Sequence, residues 1–475
     1  MAAEPQDVSL WWGLPFGFLL ASIALLPLLA ARWWERYYMW LAGGLGAVVL
    51  AYYAFGLRDF PTISGTAHEY LSFIALVGSL FIVSGGIAIR TRGQATPIQN
   101  VMALGVGALL ANLFGTAGAS MLLIRPFLRM NQYRLTTYHV IFFIFIISNV
   151  GGCLTPIGDP PLFLGYLEGI PFLWVAAHLW KIWGFGVGYL LILFFLIDRR
   201  NFRRAATEIR RIETPLKGVR FEGSMNFVFV AIILAAVFIE HPAFLREALM
   251  TGAAAGSYFW TRKNCGDVYR TNEFSFHPLR EVAMLFAGIF ATMMPVLAWL
   301  ELHARQIGLE TPGSFYWASG FLSSVLDNAP TYLNFLTASI GLLVDPAHVH
   351  QVQNWVAAGQ GAPVRDFPAA VQNTITALQA YHPDMVRAHA VPLVDVQICY
   401  LLGNLQLNRY IMAVSVGAVF FGAATYIGNA PNFMVKSIAA HHKIHMTSFF
   451  GYVLKYSVPI LGPLFVMVWW LFFRG

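Results

Sequence analysis

Ser148-Asn149-Val150-Gly151-Gly152-Cys153-Leu154-Thr155-Pro156-Ile157-Gly158-Asp159-Pro160-Pro161-Leu162-Phe163 follows directly on the apolar run Val140 to Ile147. It holds three glycines, three prolines and an aspartate, so a helix that enters it cannot run through it. Proline removes a backbone donor and glycine lowers helix propensity, which frees peptide groups at a depth where lipid supplies no water. Such a break persists only where it lines a polar site inside protein. The pattern Thr-x-Ile-Gly-(Asp/Asn)-x-Pro-x-Phe of Thr155 to Phe163 recurs at Thr425 to Phe433, displaced by 270 residues at every matched position. Interrupted hydrophobic segments at corresponding places in two halves point to a midplane site in a secondary transporter.

Composition supports the membrane reading. The 475 residues are 58% apolar and 11% charged, with a mean hydropathy of +0.62. These values exclude an ordinary soluble protein and predict an all-α polytopic membrane protein. The net charge of +7 sits in short basic clusters between apolar spans, the positive-inside pattern, and gives no nucleic-acid footprint. Cys153, Cys265 and Cys399 lack metal-ligand spacing, so neither a zinc site nor a disulfide framework is expected. Residues 1–9 are acidic, and the apolar stretch 10–31 is too long for a signal-peptide core, so it is expected to be a retained span. There is no phosphate-binding loop, no His-Glu-x-x-His and no Gly-x-Ser-x-Gly. The expectation is a gradient-driven transporter in the lipid bilayer, not an enzyme, with no cofactor beyond the transported ions.

Apolar stretches of about the 20 residues a bilayer requires occur at 10–31, 38–57, 70–89, 137–149, 180–197, 227–240, 244–260, 278–302, 410–424 and 449–473. Arg32 with Arg36, Arg90 with Arg92, Arg129 with Arg134, and the dense run Arg199 to Arg220 all become cytoplasmic if the N-terminus is outside. The stretches 99–130 and 313–343 would break that pattern as simple spans, so both are expected to be re-entrant hairpins buried in protein. Each half then reads as three spans, a hairpin, a broken span and a final span, entering from opposite sides. This is an inverted-topology repeat: residues 1–198, a basic cytoplasmic connector 199–224, and residues 225–475 with a polar extramembrane insertion at 345–394. Amphipathic pieces in the insertion, such as 369–380, allow short surface helices.

Asp159 is the sharpest candidate site residue, because an ionisable side chain in a membrane segment costs on the order of 3 kcal/mol and is usually functional. Its bland alternative is a cap on the half-helix that starts near Pro160. Asp327 sits at the tip of the second hairpin, on one helical face with Thr331 and Asn334, and its alternative is a solvated loop aspartate. Thr155, Asn149, Asn328, Thr425, Asn429 and Asn432 offer neutral oxygens beside freed carbonyls, which suits a dehydrated monovalent cation; the alternative is that they only satisfy the broken backbone. Asn112, Thr116 and Ser120 fall at i, i+4 and i+8 in the first hairpin, a polar stripe that packing could equally explain. Gly158, Gly428, Pro161 and Pro431 make the breaks. His139, Arg125, Glu240 with His241, and Glu281 near Arg280 fall mostly near span ends, where snorkelling to the interface is the default expectation.

These motifs resemble the ion transporter superfamily, in particular its citrate-transporter-like branch and the NhaD-type sodium/proton antiporters. The likeness rests on Ser148 to Gly152, Thr155 to Asp159, Ser323-Ser324-Val325-Leu326-Asp327-Asn328-Ala329-Pro330, and Thr425 to Ala430. The resemblance implies two inverted repeats whose hairpins and unwound helices meet at the site, in a homodimer with an elevator-like motion, and it suits a bacterial inner membrane. Sodium-coupled dicarboxylate members carry Ser-Asn-Thr at both hairpin tips, whereas this chain has Gly115-Thr116-Ala117 and Asp327-Asn328-Ala329. An acid at the tip repels a carboxylate substrate, so the antiporter-like branch fits better. The leading expectation is therefore a cation/proton antiporter in which Asp159 and Asp327 bind either Na⁺ or protons. A cation- or proton-coupled symporter of citrate or a related carboxylate comes second, and a channel or scaffold third.

Overall fold

The computed structural model describes residues 8–91, 93–204, 218–239, 242–359, 363–441, 444 and 446–474. Residues 1–7, Arg92, Glu240, His241 and the stretch 205–217 of the basic connector lie outside them.

Among the described residues the fold is all-α apart from one two-stranded ribbon. Two helices, α1 (Leu14–Leu29) and α2 (Ala31–Ala51), lead to α3 (Phe60–Gly85). Asp59 starts α3 by accepting from the Thr62 amide at 3.1 Å, with Pro61 in the first turn, where a missing donor costs nothing. Next come α4 (Pro97–Arg129), α5 (Thr137–Ile146), α6 (Pro160–Leu167) and α7 (Phe172–Arg204). After the connector follow α8 (Asn226–Val237), α9 (Leu245–Asn264), α10 (His277–His303), α11 (Pro312–Val325) and α12 (Asn328–Leu343). The insertion folds as α13 (Pro346–Ala357) and α14 (Ala369–Tyr381), and the chain ends with α15 (Leu393–Leu402), α16 (Asn408–Phe421), α17 (Ala430–His441) and α18 (Phe449–Phe473). Seven of the described helices are long and apolar enough to cross a membrane, although one of them, α4, folds back at its middle. Their outward faces carry residues such as Trp40 and Phe55, which suits lipid contact. The chain is thus an all-α, multi-pass integral membrane protein.

Both expected hairpins turn back on themselves. In α4 the turn is at Gly115, whose φ of 71° is left-handed and free of strain only for glycine. Gly107 on the first arm faces Leu123 on the second, and Asn100 donates to Asn131 at 2.7 Å where the arms end. In the second hairpin the turn is the extended pair Leu326 and Asp327, and Phe315 of α11 packs edge-on against Phe335 of α12. The hairpin turn also splits the expected stripe: Asn112 lies on one arm of α4, and Thr116 and Ser120 on the other.

Several boundaries differ from the sequence expectation. The stretch 137–149 is helical only over the ten residues of α5, because its C-terminal end is already part of the break. The helix α7 runs to Arg204, past the expected boundary at 198, and the connector's last part is strand Val219–Glu222, paired antiparallel with Ala88–Thr91. The helix α15 was not anticipated. Snorkelling fails for His139 and Arg125, which are 0% and 5% exposed. Arg125 donates to Glu273 at 3.3 Å. His139 lies 3.2 Å from Asp198, which also pairs with Arg134 and accepts from Tyr138 and Asn100. This buried network ties both ends of the first hairpin to α5 and α7.

Candidate functional site

The helices that lead into the breaks are surrounded by protein. Every residue of α5 from His139 to Ile146 is 0% exposed, and most of α16 is likewise buried, so the freed peptides beyond them must find partners inside the molecule. They find them largely in side-chain amides. Asn112 donates to the carbonyls of Ala108 and Gly151 and accepts from the amides of Leu154 and Thr155. Asn432 donates to the carbonyls of Gly422 and Thr425, and its own oxygen accepts from Asn149 at 2.7 Å. Asn149 also donates to the Ile144 carbonyl. The Thr155 hydroxyl donates to the Asn112 carbonyl at 2.8 Å, and the Thr425 hydroxyl to the Ser324 carbonyl at 2.6 Å. Each break is thus stitched to its neighbouring hairpin through the threonine that the repeated motif singles out.

Asp159 is where the four opened segments meet. One carboxylate oxygen accepts from the Thr116 hydroxyl at 2.6 Å and the Asn429 amide at 3.2 Å; the other accepts from the Asn328 amide at 2.5 Å. Thr116 belongs to the first hairpin tip, Asn328 to the second, Asn429 to the second break and Asp159 to the first. Asp159 and Asn429, 270 residues apart, are the matched positions of the repeated motif, and they touch directly. Asp159 is 1% exposed and makes no side-chain cap on α6.

Asp327 faces the same space and is held differently. Its side chain accepts from the Ala329 amide at 3.0 Å and so caps α12, while the Thr331 hydroxyl donates to its carbonyl at 2.9 Å. Asp159, Asp327, Asn328, Asn429 and Thr116 line one partly open cavity of about 60 Å³, bounded on one side by an apolar wall that includes Phe73 of α3 and Phe286 of α10. Among the described residues its lining has two carboxylates and no basic side chain. The Asn328 Oδ1 is buried without a hydrogen-bond partner among the described residues. Among those residues no three His, Cys, Asp or Glu side chains assemble a metal site.

Asn432, which the sequence offers as one more neutral oxygen, instead holds the second break through two carbonyls. The wall residues Phe73 and Phe286, stacked with ring centroids 4.7 Å apart, carry no local signal at all.

A multi-pass helical membrane fold with opened helices and hairpin tips gathered on a buried carboxylate has the architecture of a transport protein. The chain belongs to the family described as "Putative citrate transport", whose model matches residues 5–473. No curated protein matches the chain. Membership makes it a citrate-transporter-like secondary transporter.

Proposed function

We propose that the protein exchanges a small cation, Na⁺ in the first instance, for protons across the membrane. The observation that carries this reading is the cavity shared by Asp159 and Asp327, lined by two acids and no base. Such a lining attracts cations and repels a multiply charged carboxylate. Its volume of about 60 Å³ leaves room for an ion with a few waters. The unpartnered Asn328 Oδ1 supplies a neutral oxygen on the same wall.

A charged carboxylate is costly in a dry cavity, and either a proton or a bound cation removes that cost. Competition between the two for Asp327 and Asp159 couples their movements, and exposure of the site to each side in turn completes the exchange. The fold that serves it is two inverted repeats joined by the basic connector, with the hairpins entering from opposite sides, in a homodimer. The 270-residue repeat and the basic-loop asymmetry support that topology. If two protons move against one Na⁺, the membrane potential contributes about 2.3 kcal/mol per 100 mV in each cycle.

The family description favours a second reading, a cation- or proton-coupled carboxylate symporter. Citrate would then require bound cations to offset both acids. Flux in proteoliposomes decides between them. The expected result is pH-dependent Na⁺ or Li⁺ flux in wild type, reduced at least about tenfold in Asp159→Asn and Asp327→Asn, a loss equivalent to roughly 1.4 kcal/mol. Full exchange in both variants removes the acids from the mechanism; citrate uptake without cation/proton exchange moves the assignment to the symporter.

A further inference from the structure

The surroundings of Asp159 are those of a bound anion. Its carboxylate receives a hydroxyl and two amide donors from three separate elements, with no positive charge among them. Charge-assisted hydrogen bonds of this kind are about twice as strong as neutral ones, and a carboxylate can accept all three. Two of the donors are also held by contacts that do not involve the carboxylate. Asn429 donates to the Ser148 carbonyl at 3.1 Å and to Asn149 Oδ1 at 3.2 Å, and the Thr116 backbone amide donates to the Gly158 carbonyl at 2.8 Å. Asn328 is the first residue of α12, which Asp327 caps. Asn429 and Thr116 would therefore keep their places if the Asp159 side chain were cut away, and the capped start of α12 would hold the Asn328 backbone.

We propose that Thr116, Asn328 and Asn429 form a carboxylate receptor which Asp159 fills as a tethered ligand, and that removing this side chain opens a site for a free small monocarboxylate. In the native protein the tethered group joins both hairpin tips to both breaks and keeps free carboxylates out of that position. On the cation reading, on which this division of roles rests, Asp327 and the unpartnered Asn328 Oδ1 face the ion directly, while Asp159 keeps its three donors and meets it across the same cavity. The receptor itself does not depend on what is transported.

Thermal unfolding of the purified protein tests it, with sodium formate compared against sodium chloride at equal ionic strength. Formate is the probe because Asp159→Gly removes both Cβ and the carboxyl group, leaving room for formate's hydrogen where Cβ stood. Asp159→Gly is expected to unfold below wild type and to be raised by formate, saturably and by on the order of a few degrees, while wild type does not respond. Equal unfolding temperatures in formate and chloride overturn the proposal. Asp159→Leu is the second arm: it fills a similar space but offers the three donors no acceptor, so it unfolds below wild type and ignores formate. Asp159→Leu unfolding with wild type overturns the proposal as well, and this arm decides alone if Asp159→Gly does not accumulate. Neither arm measures flux, so failure of cation/proton exchange in vesicles and failure of the receptor are separate results.

Discussion

Asp159 precedes α6 and Asp327 precedes α12, so each carboxylate stands where a helix start offers free backbone amides. Asp327 takes the offer and caps α12 through the Ala329 amide. Asp159 makes no such bond and reaches across to three other segments instead. The reason lies in the next two residues. Pro160 and Pro161 have no amide hydrogen, so the first turn of α6 has little to hold an aspartate, whereas Asn328 and Ala329 keep theirs. Prolines at a helix start therefore do more than end the preceding segment: they release the side chain before them for long-range work.

The two breaks differ in tightness, and the largest expected effect tests that. A Cβ on Gly158 would stand 2.1 Å from the Gly152 carbonyl oxygen and 2.7 Å from Asn112 Oδ1, while one on Gly428 would stand 2.8 Å from the carbonyl oxygens of Gly422 and Ser323. The sequence alone suggests that Gly158→Leu harms transport more than expression; the closeness of the carbonyl means accumulation must suffer too. Gly158→Ala is expected to cost more than about 3 kcal/mol and Gly428→Ala clearly less. Comparing folded yield by size-exclusion chromatography checks the order, and equal yields would remove the asymmetry between the breaks.

Next in size is the amide that stitches the first break. Asn112→Ala leaves the amides of Leu154 and Thr155 and the Gly151 carbonyl each short of a partner, although Trp183 still donates to Gly151 at 2.8 Å. With a buried unsatisfied group costing about 1–3 kcal/mol, the loss should reach roughly 3 kcal/mol. Thr425→Val in the second break strands as many groups, the Ser324 carbonyl and the Ile427 and Gly428 amides, but valine fills the space of threonine whereas Asn112→Ala also leaves a gap, so it should cost less. Denaturation in detergent measures both, and the reverse ranking would show that the second break is the one under greater demand.

The breaks and hairpins were legible because they are local: glycine, proline and aspartate inside apolar runs announce opened backbone, and the repeated motif marks Thr155 and Thr425 together. Thr116, Asn328 and Asn429 were candidates too, but nothing local shows that they donate to Asp159, since Asn328 lies 169 residues away. Asp198 was invisible for the same reason. It reads as a polar residue at the end of a long helix, yet it is the buried partner of Arg134 and His139, which local sequence places at an interface. Tertiary pairing, not residue type, decides whether a charge near a span end meets water.

The smallest expected effect on stability gives the sharpest test of Asp327, because capping and ion binding can be separated there. Serine caps a helix about as well as aspartate but carries no charge. Asp327→Ser should keep a bond to the Ala329 amide and hold stability within a few tenths of a kcal/mol, whereas Asp327→Ala loses the cap and about 1 kcal/mol. If Asp327 is only a cap, Asp327→Ser transports as wild type does and Asp327→Ala is the weaker variant. If its charge meets the transported cation, both variants lose flux to a similar extent although only one loses stability. Measuring unfolding and Na⁺ flux on the same two preparations distinguishes these outcomes, and wild-type flux in Asp327→Ser would leave Asp159 as the one acid of the cavity that transport requires.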